Sequence, residues 1–170
     1  MKGLFGGLGI GQAISIQLEF KRKDAQPVTT ASVKTKLGEA ETLPLYTNKD
    51  DVLGEVIVTP IPGKRADHQG IKVQLIGEIE LASEKGNPSE FVCLNRNLAP
   101  MGELLQQQHM PFEFDNVEML YDSYTGHHIR VRYMLRVTIT RAYGATMVRD
   151  FPFWVRNYEK EVEAGASIKV

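Results

Sequence analysis

Apolar and polar residues alternate along most of this chain, and two long runs show the period of two most clearly. In the first, Ile71, Val73, Leu75, Ile79 and Leu81 are apolar while Lys72, Gln74, Glu78 and Glu80 are polar, with Ile76 the exception. That is the pattern of a strand with one buried face. Gly77 brings no side chain to the apolar set, and a glycine inside a strand predicts a bulge or bend there. In the second run, Ile129, Val131, Tyr133, Leu135, Val137 and Ile139 alternate with Arg130, Arg132, Arg136, Thr138 and Thr140, and Met134 is the exception. Two such strands predict a sandwich. At about 3.3 Å per residue each spans roughly 40 Å, about twice the usual strand.

Shorter runs repeat the pattern. Ile14, Ile16, Leu18 and Phe20 alternate with Ser15, Gln17 and Glu19, and Val52, Gly54, Val56 and Val58 form the inward face of another strand that Pro60 ends. Pro62 and Gly63 follow in a basic turn, with Lys64, Arg65, Asp67 and His68 placed on an exposed loop. A β-leaning run over 29–36, a segment over 43–46 that leads into a turn at 48–51, a strand over 90–98 and the alternation Phe151, Phe153, Val155 complete the set. A helical turn is plausible only over 98–108, where Pro100 and Gly102 keep it short. The total is roughly eight or nine strands, which predicts an all-β chain of two packed antiparallel sheets, an immunoglobulin-like sandwich. The glycine-rich residues 1–13 form one segment and 14–170 the sandwich.

Composition narrows the function. Lys+Arg 20 against Asp+Glu 21 gives a net charge of -1 and no global attraction to nucleic acid or anionic lipid. The lone Cys93 excludes an internal disulfide framework, fits a reducing compartment, and in the run FVCL is expected to be a small buried hydrophobe. No apolar run approaches the roughly 20 residues of a membrane span. Gly7, Gly9 and Gly11 precede a strand rather than a helix, so they are no dinucleotide fingerprint, and Lys2 stands where myristoylation needs glycine. His127 and His128 are adjacent on a strand and point to opposite faces, and His68 and His109 have no ligand-spaced neighbour. Neither a metal, a cofactor nor a catalytic constellation is expected. Glu78 and Glu80 are expected to pair on a solvated strand face with Arg130, Arg132 and Arg136.

The runs PGKRADHQGIKVQLIGEIEL, EFVCLNRNLAPMGELLQ, FEFDNVEMLYDSYTGHHIRVRYMLRVTITR and the terminal SIKV resemble the arrestin-like subunit of retromer, the vacuolar protein sorting twenty-six family. PGKR, HQGI, GELxQ and YxSYxG are its signatures, and the similarity runs in order over nearly the whole chain. The resemblance implies an arrestin-like fold in which this chain is the amino-terminal lobe, ending before a second lobe. It implies a non-catalytic coat component, cytoplasmic and peripheral on endosome membranes, that helps recruit adaptors and select cargo for transport to the Golgi or plasma membrane. Its implied partners are the retromer solenoid subunit, gripped chiefly by the second lobe, sorting nexins, and cargo sorting motifs. Membrane contact would be indirect, through adaptors. The cargo edge at the lobe junction matches Ser167, Ile168, Lys169 and Val170. The groove where an animal sorting nexin's PDZ domain docks matches Asn48 and Tyr158, where the animal proteins carry an acidic residue and leucine. The alternative is an arrestin-domain adaptor that regulates membrane receptors outside retromer, which needs a buried polar core of opposite charges.

Overall fold

The computed structural model describes residues 12–157 apart from 36 and 84–86. The glycine-rich stretch up to residue 11, Tyr158 and Ser167–Val170 therefore lie outside the described residues. Twelve strands follow in order: β1 (Ile14–Lys21), β2 (Thr30–Lys34), β3 (Ala40–Tyr46), β4 (Val52–Pro60), β5 (Asp67–His68), β6 (Gly70–Leu81), β7 (Ser89–Ala99), β8 (Gly102–Glu103), β9 (Gln108–Phe114), β10 (Tyr124–Thr125), β11 (Ile129–Thr140) and β12 (Met147–Val155). The number exceeds the sequence expectation because β5, β8 and β10 are two-residue ladders. No helix occurs among the described residues. The segment expected to hold a helical turn instead supplies β8, which pairs with β5 and leaves Leu104 to donate its N–H to Ala66 O at 3.0 Å.

The fold is an arrestin-like, all-β sandwich. A three-stranded sheet, β1-β4-β9, lies against a seven-stranded one, β2-β3-β12-β11-β6-β7, in which β10 also pairs with β11. Every pairing is antiparallel except β3 with β12, which run parallel through Leu45 and Trp154 and through Tyr46 and Val155. The two long runs of the sequence are direct neighbours, in register from Ile129 opposite Leu81 to Thr140 opposite Gly70. Their inner faces meet Ile14, Ile16, Val52, Val56, Val58, Phe112 and Phe114 from the smaller sheet in one core. A cluster of rings, Tyr46, Phe153 and Tyr133, closes it, with centroids 5.4 and 5.7 Å apart.

The bend expected at Gly77 is present as a register shift between Gly77 and Glu78 against β7. A β-carbon there would lie 2.6 Å from the Phe91 ring and 2.7 Å from Val92, so only glycine lets both side chains pack onto β6.

Several expectations about faces are corrected. Ile129 is 43% exposed, and Val131, Ile79 and Leu81 are half-buried. The covering strands have seven to nine residues against twelve in β6 and β11, so the inner face runs out at that end. On the outer face, Ile76 and Met134 oppose each other and are buried, and beside them Glu78 is only 2% exposed, paired with Arg132. Arg130 pairs with Glu80 as expected, at 3.7 Å, but Arg136 turns to Asp150 on β12, donating from Nε at 2.7 Å and from Nη2 at 3.0 Å, and the same Nη2 also reaches the Met134 sulfur. Cys93 is exposed, because β7 is outermost in its sheet and the register sets Cys93 opposite the outer-face Ile76. His68 is buried, since β5 pulls it under β8; Lys64 and Arg65 stay exposed.

Candidate functional site

Where β3 and β12 end side by side, three segments converge on Asn157. The parallel ladder continues one residue beyond β12, with Arg156 N–H donating to Tyr46 O at 2.9 Å. Asn157 then accepts the Asn48 N–H at its Oδ1 (2.7 Å), donates from its Nδ2 to Met119 O (2.9 Å), and donates its own N–H to Asp122 Oδ1 (2.8 Å). One amide thus ties the β3–β4 turn to the loop that leads into β10. The turn is shaped from within by Asp50, whose carboxylate accepts the Thr47 N–H at 2.8 Å and its hydroxyl at 3.1 Å. The loop is fixed from below by Ser123, whose Oγ accepts the Val155 N–H at 2.9 Å. Tyr133 reaches up from the core, donating its hydroxyl to Tyr121 O at 2.7 Å. Burial pushes that phenol up to about 12, which keeps it a neutral donor.

Asn48 therefore stands exposed on a turn of fixed shape. The loop over 116–121 and the first half of β7 enclose a groove of about 340 Å³ lined by Phe91, Val92, Leu94, Val117, Leu120 and Tyr121, with the polar Asn116 and Glu118 also on its wall. The Phe91 and Tyr121 rings meet edge to face at 5.1 Å. The turn, with its backbone fixed by side-chain hydrogen bonds, and the largely apolar groove are each suited to binding.

At the same end of the sandwich, Asp51, Glu113 and Asp115 bring their carboxylate oxygens within 4.8 Å of one another. The Lys23 ammonium lies among them, at 2.8, 2.7 and 3.2 Å, so the cation of this cluster is the chain's own. Lys23 holds the Asp51 carboxyl below the usual carboxylate range, and the carboxylates push Lys23 up. Of the histidines, His127 and His128 are exposed, and His109 lies 3.2 Å from Glu55, which also takes Lys21 at 2.9 Å.

Of the residues implicated from sequence, Asn48 is brought to Asn157; Tyr158, Ser167, Ile168, Lys169 and Val170 fall outside the described residues. Asn157 itself was missed. Its one signal is a polar amide directly after the alternation Phe151, Phe153, Val155, where a strand's last backbone groups need partners. The Lys23 cluster had no signal, since its four members come from three distant segments.

The chain matches the family model described as vacuolar protein sorting-associated protein 26 over residues 10–170. It is 39% identical over 163 residues to human vacuolar protein sorting-associated protein 26B, covering 95% of this chain and 48% of that protein. It is 35% identical over 158 residues to the Arabidopsis thaliana protein 26B (93% and 52%), and 36% identical over 154 residues to the Dictyostelium discoideum protein 26 (90% and 44%). The chain thus spans about half the length of these relatives. Among solved structures it resembles Spo0M, a sporulation control protein from Bacillus subtilis, with a TM-score of 0.55 at 14% identity over 86% of this chain and 51% of that one. That likeness concerns the fold alone.

Proposed function

The chain belongs to the vacuolar protein sorting-associated protein 26 family, and on that premise we propose that it is the amino-terminal lobe of a retromer coat subunit. It catalyses nothing. It recruits adaptors of the sorting-nexin class on the cytoplasmic side of endosomes and helps select membrane cargo for transport to the Golgi or plasma membrane. The observation that carries this reading is the family match over residues 10–170, on a two-sheet sandwich whose exposed features suit binding rather than reaction chemistry.

Contact with the solenoid subunit of retromer belongs chiefly to the half of the relatives that this chain does not span. The rigid turn of Asn48 is the lobe's adaptor-facing corner, together with Tyr158. An uncharged Asn48 removes the carboxylate that the animal PDZ partner uses, so that partner binds weakly here or not at all. Cargo motifs add as an extended strand along Ser167–Val170, where backbone hydrogen bonding gives affinity and alternate side chains give selectivity. An arrestin-domain receptor regulator is not favoured. Its phosphate sensor needs a buried polar core, whereas among the described residues the buried carboxylate of Glu78, paired with Arg132, lies on the outer face of one sheet.

Affinity capture with the full-length protein from cytosol tests the assignment. Recovery of the solenoid and metallophosphoesterase-like retromer subunits is expected, and recovery of neither would overturn it. For the isolated chain, NMR titration with a sorting-motif peptide is expected to give a Kd of tens of micromolar or weaker, because a lone strand edge supplies only part of a shared site. Submicromolar binding without an adaptor would contradict a shared site.

A further inference from the structure

The end of the sandwich opposite Asn157 carries Met101, Leu105 and Tyr143 at 73, 80 and 87% exposure. Strand register explains why they share one end. β6 begins at Gly70 opposite Thr140, where β11 ends, and Ile71 faces Ala99, where β7 ends. The loops over 61–69, 100–107 and 141–146 therefore all leave the same pole. They are also fastened to each other: β5 pairs with β8, Leu104 N–H donates to Ala66 O at 3.0 Å, and Arg141 Nη2 donates to Arg65 O at 2.9 Å. Leu104 is buried, so it pins the middle loop from below while Met101 and Leu105 on either side are held outward.

Charge separates the two poles. The three loops carry Lys64, Arg65 and Arg141 against Asp67 and Glu103. Asp67 is already bound to Arg65 at 2.7 Å, and Lys64 is steadied by donating to Gln12 O at 3.0 Å. At the other pole, the segments 22–29, 47–51, 115–123 and 156–157 carry Arg22, Lys23, Lys49 and Arg156 against six aspartates and glutamates.

We propose that this pole is a membrane-contacting tip that seats directly on an anionic bilayer. Met101, Leu105 and Tyr143 enter the boundary between headgroups and acyl chains, and the exposed Lys64 and Arg65 face the lipid phosphates, while Arg141 ties the loops together through the Arg65 carbonyl. Three side chains on two loops, each largely exposed, line no groove that would fit a folded partner. A fluid interface accepts such tips one by one, and tyrosine suits it, with an apolar ring and a wet hydroxyl. The inference goes beyond the coat-subunit reading, since a subunit recruited by adaptors needs no lipid contact of its own; capture of retromer subunits and binding of lipid can fail independently.

Co-sedimentation with vesicles tests it, comparing phosphatidylcholine alone with phosphatidylcholine plus phosphatidylserine. The chain is expected to sediment with the anionic vesicles and to be released by salt. Met101→Ser, Leu105→Ser and Tyr143→Ser combined are expected to lower partitioning at least about tenfold. Reversing Lys64 and Arg65 to glutamate should lower it further, at about fivefold for each cation lost, and flatten its salt dependence. All five positions are exposed, so unchanged circular dichroism is expected in both variants. No sedimentation of the parent chain with anionic vesicles, or equal sedimentation of the serine variant, would overturn the proposal. So would self-association in the absence of lipid that the serine variant abolishes, since the tip would then be a contact between copies of the chain.

Discussion

Gly54 lies where β1 passes so closely that a methyl group has no room: a β-carbon would sit 2.0 Å from the carbonyl oxygen of Glu19 and 3.1 Å from the Phe112 ring. The obstacle is backbone, so Gly54→Ala is expected to push β1 off β4 and cost about 3 kcal/mol or more. At Gly77 the obstacles are the Phe91 and Val92 side chains, which can rotate, so Gly77→Ala should cost less, about 1–3 kcal/mol. Urea titration of the two variants would reveal the reverse order if side chains were the harder barrier. Only one of these glycines was legible in the sequence. Gly77 interrupts an apolar row and announces a bend, whereas Gly54 fills an inward position in a valine row and looks like any small residue until its neighbour's carbonyl is known. His68 was misplaced for a similar reason, as its burial depends on a two-residue ladder to a segment 34 positions away. Its Nδ1 is buried without a hydrogen-bond partner, and burial holds the imidazole below its usual 6.5 against the opposing pull of Asp67. The unfolded chain therefore takes up a proton that the folded chain resists, so His68's contribution to stability is complete above about pH 6.5 and is lost as pH falls through the lowered value. His68→Gln should flatten the loss of urea midpoint between about pH 7.5 and pH 5.5; an unchanged slope would exclude His68 as its source.

Along the strands, alternation told which side chains share a face but not what stands across from them. It ordered β6 and β11 well enough that Leu135, with no exposed surface, is a secure core position, and Leu135→Asp is expected to unfold the chain by leaving an unpaired buried charge. It also placed the pairing of Glu78 with arginine on a solvated face, and for Glu78 the structure reverses this. Glu78 is buried against an Arg132 side chain that is about a third exposed, and removing the arginine strands the carboxylate, so Arg132→Ala should cost about 1–3 kcal/mol. Arg130→Ala, whose partner Glu80 is about a third exposed, should cost under about 1 kcal/mol. Denaturation midpoints of the two arginine variants are expected to differ clearly, and equal midpoints would mean that Glu78 is hydrated in solution. The corner at Asn157 depends on an amide rather than on apolar contact. Asn157→Ala removes two side-chain hydrogen bonds, at about 1 kcal/mol each, and should speed amide exchange at Asn48 while leaving β6 and β11 protected.

For the molecule as a whole, the alternating runs disclosed an all-β sandwich, and the quoted motifs disclosed its family. The assembly of each pole stayed hidden, because loops distant in sequence meet there only through strand register. The exposed tips Met101 and Leu105 belong to one loop and Tyr143 to another, and nothing along the chain marks the two loops as neighbours. The parallel pairing of β3 with β12 is the longest such connection, joining Tyr46 to Val155. During synthesis it imposes an order. Until about 110 further residues have been made, the hairpin of β2 and β3 has no sheet to join, an interval of roughly 5–20 s at ordinary elongation rates. Its outer strand is short and polar and ends in Lys34, features that discourage association between unfinished chains while the hairpin waits.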